Sequence, residues 1–268
     1  MHLISDIGLL NDIIRNYFVK NTLTNNYLLS SAYYQYILKR KLFYIATSSN
    51  GCILVEKGNF YQLYYYINDQ NELLFFDNDA PKVLEVLYRG ENQRPDEILS
   101  FWKKCGFRQH LTRDMMTASY GQLNIPGENK SDILIKYADT DYEICFSKKL
   151  IESTFDKYTG DILTLEEVLF YAREKNIICA YLGKDLAGIL RFEIKNNLVW
   201  LQHIAVATQF RGNGIANALV KRYILDNMKH PETRYQLWVL TDNSKARALY
   251  SKFGFIYGSK SSTSMLKD

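Results

Sequence analysis

Residues 209–216 read QFRGNGIA and lie between the strand-like run LVWLQHIAV and the run ALVKRYILDNM. From Gly214 onward, Ile215, Leu219, Tyr223 and Ile224 recur at helical spacing, with Met228 further on. Lys221, Arg222 and Asp226 fall largely on the other side. The pattern predicts a helix that begins near Asn213 or Gly214. The first amides of a helix have no internal partner, and the helix dipole is positive there. Glycines in the preceding turn accept positive φ and let an anion reach that backbone without meeting a Cβ. A strand, a glycine turn and a helix in this order make a site for a phosphate.

Three kinds of phosphate loop compete for this stretch. A Walker loop requires GxxxxGK[ST], which the chain lacks, and a dinucleotide fingerprint requires a third glycine where Asn217 stands. What remains is QxxGxG, carried by Gln209, Gly212 and Gly214 and extended by Arg211 and Ala216. A second motif follows at 241–255, TDNSKARALYSKFGF. Asn243 is placed to cap a helix, Ala246 and Tyr250 share a face four residues apart, and Gly254 is placed to end it.

The pattern NxxAxxxYxxxGF, at Asn243, Ala246, Tyr250, Gly254 and Phe255, resembles that of the GNAT superfamily of acyl-CoA-dependent N-acyltransferases, and so does the QxxGxG loop. The two motifs stand in GNAT order and at roughly GNAT spacing, and the resemblance covers about residues 133–258. It implies acetyl-CoA as co-substrate, bound by Gln209 and with its pyrophosphate on Arg211, Gly212, Asn213, Gly214, Ile215 and Ala216. It implies that the preceding strand, through Ile204, Ala205 and Val206, meets the acyl arm, with Ile204 pairing to the pantetheine and the Val206 amide facing the oxyanion. Asn243, Ala246 and Tyr250 complete the cofactor contacts, and Tyr250 resembles the family's general acid. A tyrosine of pKa ~10 is protonated at neutral pH and can donate to a leaving thiolate.

Two residues are candidates for the base: His203, on the same strand as Val206, and Glu193, on the strand before. Where some ribosomal-protein acetyltransferases of the family carry a glutamate base, this sequence has Trp238. That departure leaves room for a base relayed through water. The helix and loop over 151–167, IESTFDKYTGDILTLEE, correspond to the family's acceptor region. Glu152, Asp156, Asp161, Glu166 and Glu167 there would favour a cationic amine.

The rest of the chain bounds these readings. Of 268 residues, 33 are basic and 29 acidic, a net +4 without a concentrated basic patch, which excludes nucleic acid as the expected partner. Cys52, Cys105, Cys145 and Cys179 form no CxxC pair, and the four histidines have no metal-site spacing, so no metal is expected. The scattered thiols suit a reducing compartment. The opening MHLISDIGLLNDIIRNYF reads as an amphipathic helix and not as a signal peptide, and no apolar run reaches the ~20 residues of a membrane span. A cytoplasmic protein with no membrane partner is expected.

The two halves echo each other. LSFWKKCGF at 99–107 matches RALYSKFGF at 247–255, and three apolar runs over 43–68 match three over 177–206. This predicts an α/β (α+β) fold of two GNAT-like units, each a mixed, mainly antiparallel sheet flanked by helices. Residues 1–120 form a degenerate N-terminal unit without the glycine loop, 121–132 a linker, and 133–268 the unit with the acyl-CoA site. The expected activity is transfer of an acetyl group to a primary amine of a small molecule or peptide, by a monomer that is an internal pseudo-dimer or by a homodimer. Two other readings stay open: a non-catalytic acyl-CoA sensor, and an aminoacyl transferase that uses tRNA.

Overall fold

The computed structural model describes residues 1–18, 23–24, 40–90, 93–127 and 132–268. It divides into two compact units, residues 1–112 with 260–268, and residues 113–259.

In the first unit, β1 (His2–Ile4) leads to α1 (Ile7–Tyr17), which Asp6 caps by accepting from the Leu9 amide. This is the amphipathic helix expected from the sequence; Leu10 and Ile13 are its buried residues. β2 (Leu23–Thr24), β3 (Leu42–Ala46), β4 (Gly51–Lys57), β5 (Phe60–Ile67) and β6 (Lys82–Tyr88) follow, then α2 (Asp96–Lys104) and β7 (Arg108–Ser119). β3, β4 and β5 are an antiparallel meander. β6 runs parallel to β5 but pairs with it only at Tyr61–Lys82 and Gln62–Val83. β4 holds one edge of β5 as far as Tyr66, so β2, which pairs with Tyr66 and Ile67, lies on the same edge as β6. No helix occurs over residues 68–81. Instead the buried Asn50 side chain pins this loop, donating to the carbonyls of Asp69 and Glu72 and accepting from the amides of Asn68 and Asp69.

The second unit continues with β8 (Ile133–Tyr137), α3 (Asp141–Thr154), α4 (Leu165–Arg173), β9 (Ile177–Leu182), β10 (Asp185–Lys195) and β11 (Leu198–Val206). Then come α5 (Ile215–Asn227), β12 (Arg234–Leu240), α6 (Ser244–Lys252) and β13 (Ile256–Lys267). Strand order is β13-β7-β12-β11-β10-β9-β8, with β8 to β11 antiparallel and β12 parallel to β11. Alternation along the strands feeds two cores. Ile178, Ala180 and Leu190 pack with Leu219, Tyr223 and Ile224 of α5 and Tyr250 of α6. Ile177, Cys179 and Ile189 pack with Ile144 and Ile151 of α3 and Val168 of α4. The helices therefore cover both faces of the sheet, as a mixed sheet with two apolar faces requires.

β7 begins in the first unit and ends in the second, and β13 does the reverse. Within the first unit the end of β13 pairs with β6, from Ser261–Tyr88 to Lys267–Lys82, and buries Met265 and Leu266. Two GNAT-like units are thus present.

Candidate active site

The site is a wedge between β11 and β12. Their ladder runs from Leu198–Arg234 to Leu201–Leu237 and stops. Beyond it β11 stays paired to β10, whereas β12 stays paired to β7 as far as Leu240–Arg113. A bulge sets the break: Leu201 faces Phe192 and His203 faces Arg191, which leaves Gln202 as the extra residue. The Ala207 amide donates to the Ala187 carbonyl on β10. Alternate residues of a strand address opposite edges, so Ile204 and Val206 turn their N–H and C=O groups into the wedge. Arg211 confirms that edge for Val206, donating from Nε to its carbonyl at 3.1 Å. Among the described residues no strand pairs with the wedge edge of 202–206.

Past β11 the chain makes a short 3₁₀ turn at Thr208–Phe210, which carries the exposed Gln209, and then enters the glycine loop. Gly212 and Gly214 have φ of +85° and +86°, and a Cβ on either would point into open space. Asn213 folds back, its side chain donating to the Phe210 carbonyl. Gly214 occupies the N-cap of α5, with no side chain capping it and no acid in the first turn. The amides around Ile215 and Ala216 are left to an outside acceptor. Opposite stands α6, where Asn243 accepts from the Ala246 amide at 3.0 Å. Gly254 ends this segment at φ +89°; a Cβ there would come within 2.0 Å of the Gln122 carbonyl oxygen, so only glycine fits.

Ile204, Val206, Ala246 and Tyr250 border a single core, so the strand and both motifs converge. Tyr250 is buried, and burial holds its phenol above the ordinary tyrosine value. Burial thus favours the protonated phenol beside the open strand edge.

Residues 137–255 match the family model described as Acetyltransferase (GNAT) family. They form a GNAT acetyltransferase domain. The match supports acyl transfer as the general activity. No curated protein matches the chain. Among solved structures, a GCN5-related N-acetyltransferase from Sphaerobacter thermophilus is similar, with 14% identity and a TM-score of 0.61, covering 81% of this chain and 76% of that one. One from Kribbella flavida has 10% identity and a TM-score of 0.56, covering 88% and 93%. A tandem GNAT protein of the clavulanic acid biosynthesis pathway has 10% identity and a TM-score of 0.55, covering 84% and 82%. At such identities the likeness concerns the fold.

The GNAT domain treats the two base candidates differently from the sequence expectation. His203 is buried, and its side chain is on the face of Ala205, opposite the face of Ile204, Val206 and Tyr250. Its Nδ1 accepts from Arg191 Nε at 3.0 Å, and its Nε2 donates to the Gly160 carbonyl at 2.7 Å. Burial, and then the Arg191 charge, push its pKa down to about 4. The ring is neutral, with no lone pair left to take a proton. Glu193 pairs with Trp200, whereas Val206 pairs with Gly188, five residues back along β10 and about 16 Å away. It accepts from Tyr171 Oη and Arg191 Nη1.

Four of the five acids of 151–167 are also engaged within the protein. Glu152 pairs with Lys148, and Asp156 accepts from the Tyr158 and Thr159 amides and the Thr159 hydroxyl. Asp161 pairs with Arg191 at 2.7 Å, Glu167 shares a capping box with Thr164, and Glu166 lies in the first turn of α4. Trp238 is half-buried and pairs with Met115, on the face away from the neighbouring buried Leu237 and Val239. Sequence reading overlooked Arg191, although a lone arginine inside the apolar run AGILRFEI was a visible signal. Among the described residues no three His, Cys, Asp or Glu side chains gather as metal ligands, and no helix is long and apolar enough to cross a membrane.

Proposed function

We propose that the GNAT domain moves an acetyl group from acetyl-CoA directly to a primary amine of a small molecule or peptide. The open edge of β11 beside an uncapped glycine loop is the observation that carries this reading. Acetyl-CoA supplies the activated acetyl thioester. The loop amides from 212 to 216 would hold its pyrophosphate, and the wedge edge of Ile204 would take up its amide arm as a strand would. The Val206 amide, left without a ladder partner, would donate to the carbonyl oxygen as negative charge gathers there. Tyr250, kept protonated by burial, would give its proton to the departing sulfur.

The acceptor would approach from the α3–α4 face, where Trp238 lies, and the donor from the α5–α6 face, so that both meet through the wedge. Its excess proton would pass to water, since His203 and Glu193 are committed elsewhere. In this reading the acyl-CoA site is carried within 133–268 and the first unit is a degenerate relative; residues 121–127, expected as part of a linker, lie inside the second unit.

Titration of the full chain with acetyl-CoA, followed by an amine screen for CoA release, tests the reading. One site per chain and release with a primary amine are expected. Saturable binding with no release would favour the sensor reading. No binding, together with transfer from an aminoacyl-tRNA, would favour the tRNA-dependent one.

A further inference from the structure

The segment between α3 and α4 is tied down more heavily than a surface loop requires. Arg191 Nη2 donates to Asp161 at 2.7 Å, and His203 Nε2 holds the Gly160 carbonyl at 2.7 Å. Arg113 Nη2 donates to the Thr159 carbonyl at 2.6 Å, and Phe155 meets the His203 ring edge-on at 4.6 Å. Arg191 and His203 stand on β10 and β11, while Arg113 stands on β7, on the far side of β12. Two successive carbonyls are therefore gripped from either side of the strand that borders the wedge. Arg113 pairs with Leu240, past the point where β11 and β12 part. The segment consequently lies as a strap over the α3–α4 face of the opening.

Arg191 is the hub. It is fully buried in an apolar strand, a costly place for a charge unless every donor direction is answered. Its fork reaches His203, Glu193 and Asp161, and the Tyr171 ring covers its face at 4.4 Å from the guanidinium carbon. A lysine has no such planar fork. The β10–β11 ladder is interrupted only by the bulge beside Arg191, and Asp161 and Gly160 belong to neither strand, so the bonds to them hold the segment and not the ladder.

We propose that Arg191, His203 and Asp161 are positioning residues that fix residues 155–161 as a rigid wall on the acceptor side of the wedge. They touch neither donor nor reacting atoms; they set where the amine enters. The kinetic part of this proposal rests on the acetyl-transfer reading, and the structural part does not.

The test uses the full chain as wild type, Asp161→Asn, His203→Ala and His203→Gln. Asp161 is more than half exposed and sits at φ +49°, which asparagine tolerates, so Asp161→Asn keeps the fold. Glutamine at 203 retains a donor near the place of Nε2. Hydrogen exchange of peptides spanning 155–163 should quicken about tenfold or more in Asp161→Asn and His203→Ala, with β9 to β11 unchanged and protection partly restored in His203→Gln. Acetyl-CoA titration should be unaltered. With spermidine, lysine amide and tyramine as probes, the amine KM should rise about tenfold while kcat stays within about twofold.

Wild-type protection of 155–163 in both weakened variants would overturn the proposal, and so would exchange quickened evenly across the second unit. If the wild type acetylates none of the three amines, the acetyl-transfer reading loses its support from them. The exchange result still decides the strap by itself.

Discussion

Each unit contains a parallel pair whose strands separate, and the two units use the gap in opposite ways. In the first, β5 and β6 pair at only two positions, and β2 takes up the edge of β5 at Tyr66 and Ile67. The loop that follows has no helix and is pinned by Asn50. In the second, the edge of β11 from Gln202 to Val206 is left open, and an uncapped glycine loop enters a 13-residue helix beside it. One gap is closed by a strand; the other, among the described residues, leaves its strand edge unpaired. A shared fold thus provides a site only where backbone donors stay unspent, which is why a single acyl-CoA site per chain is expected.

The comparison breaks most easily at the exchanged strand ends. Removing residues 260–268 takes from the first unit a strand that pairs with β6 and buries Met265 and Leu266. Each such side chain contributes about 1.5–3 kcal/mol, against a typical domain stability of ~5–15 kcal/mol. The first unit should unfold, seen as a red shift and loss of protection of Trp102, which lies fully buried in its core. An unchanged Trp102 signal would mean that the first unit is complete without the C-terminal strand.

A smaller but sharper effect is expected at Tyr250, which has no counterpart with an open gap in the first unit. Tyr250→Phe should lower kcat by about 10²-fold or more, the usual scale of acid catalysis, and leave acetyl-CoA affinity unaltered. An unchanged kcat at saturating substrates would remove the acid from this position.

Next in size is the loop. Gly214→Val forces a branched side chain into φ +86°, a strain of about 1–2 kcal/mol, and should weaken acetyl-CoA binding by about tenfold in calorimetry. As its counterpart, Thr24→Pro would disturb β2 in the first unit without creating a glycine loop. The stoichiometry should stay at one; a second bound acetyl-CoA would show that β2 alone closes that gap.

The smallest effect concerns acid. The folded pKa of His203, about 4, lies below its unfolded value near 6.5, because burial and Arg191 disfavour the imidazolium. The unfolded chain therefore takes up this proton first as pH falls. The stability contributed by the neutral ring is present above about pH 6.5 and is lost as pH falls towards about 4. The charges facing the ring are Arg191, Asp161 and Arg113. Urea midpoints of the wild type should drop over this interval more than those of His203→Gln. Parallel curves would show that His203 titrates normally.

The glycine loop and the α6 motif were legible because each works within a few residues of chain. Gly212 and Gly214 adopt the positive φ their positions suggested, Asn243 caps its helix, and Gly254 closes it. The repeated order of elements was legible for the same reason, since three apolar runs and a turn are local patterns. His203 and the acids of 151–167 were not. Their residue types suit proton transfer and cation binding, yet their partners, Arg191 on β10 and the caps of local turns, come from pairings that residue type leaves open. Trp238 raised a doubt about a base but carried no information on which face of the sheet it takes.

By itself, then, the sequence pointed to the family, the glycine loop with its helix, and the succession of strands and helices, because helical period, glycine φ and capping act over short separations. Only the tertiary structure decided which strand edge stays open, that β2 closes the other gap, that the ends of β7 and β13 are exchanged, and that a buried arginine straps one loop to the sheet. Those outcomes depend on hydrogen bonds between residues far apart in the chain. There, one choice of partner excludes the others.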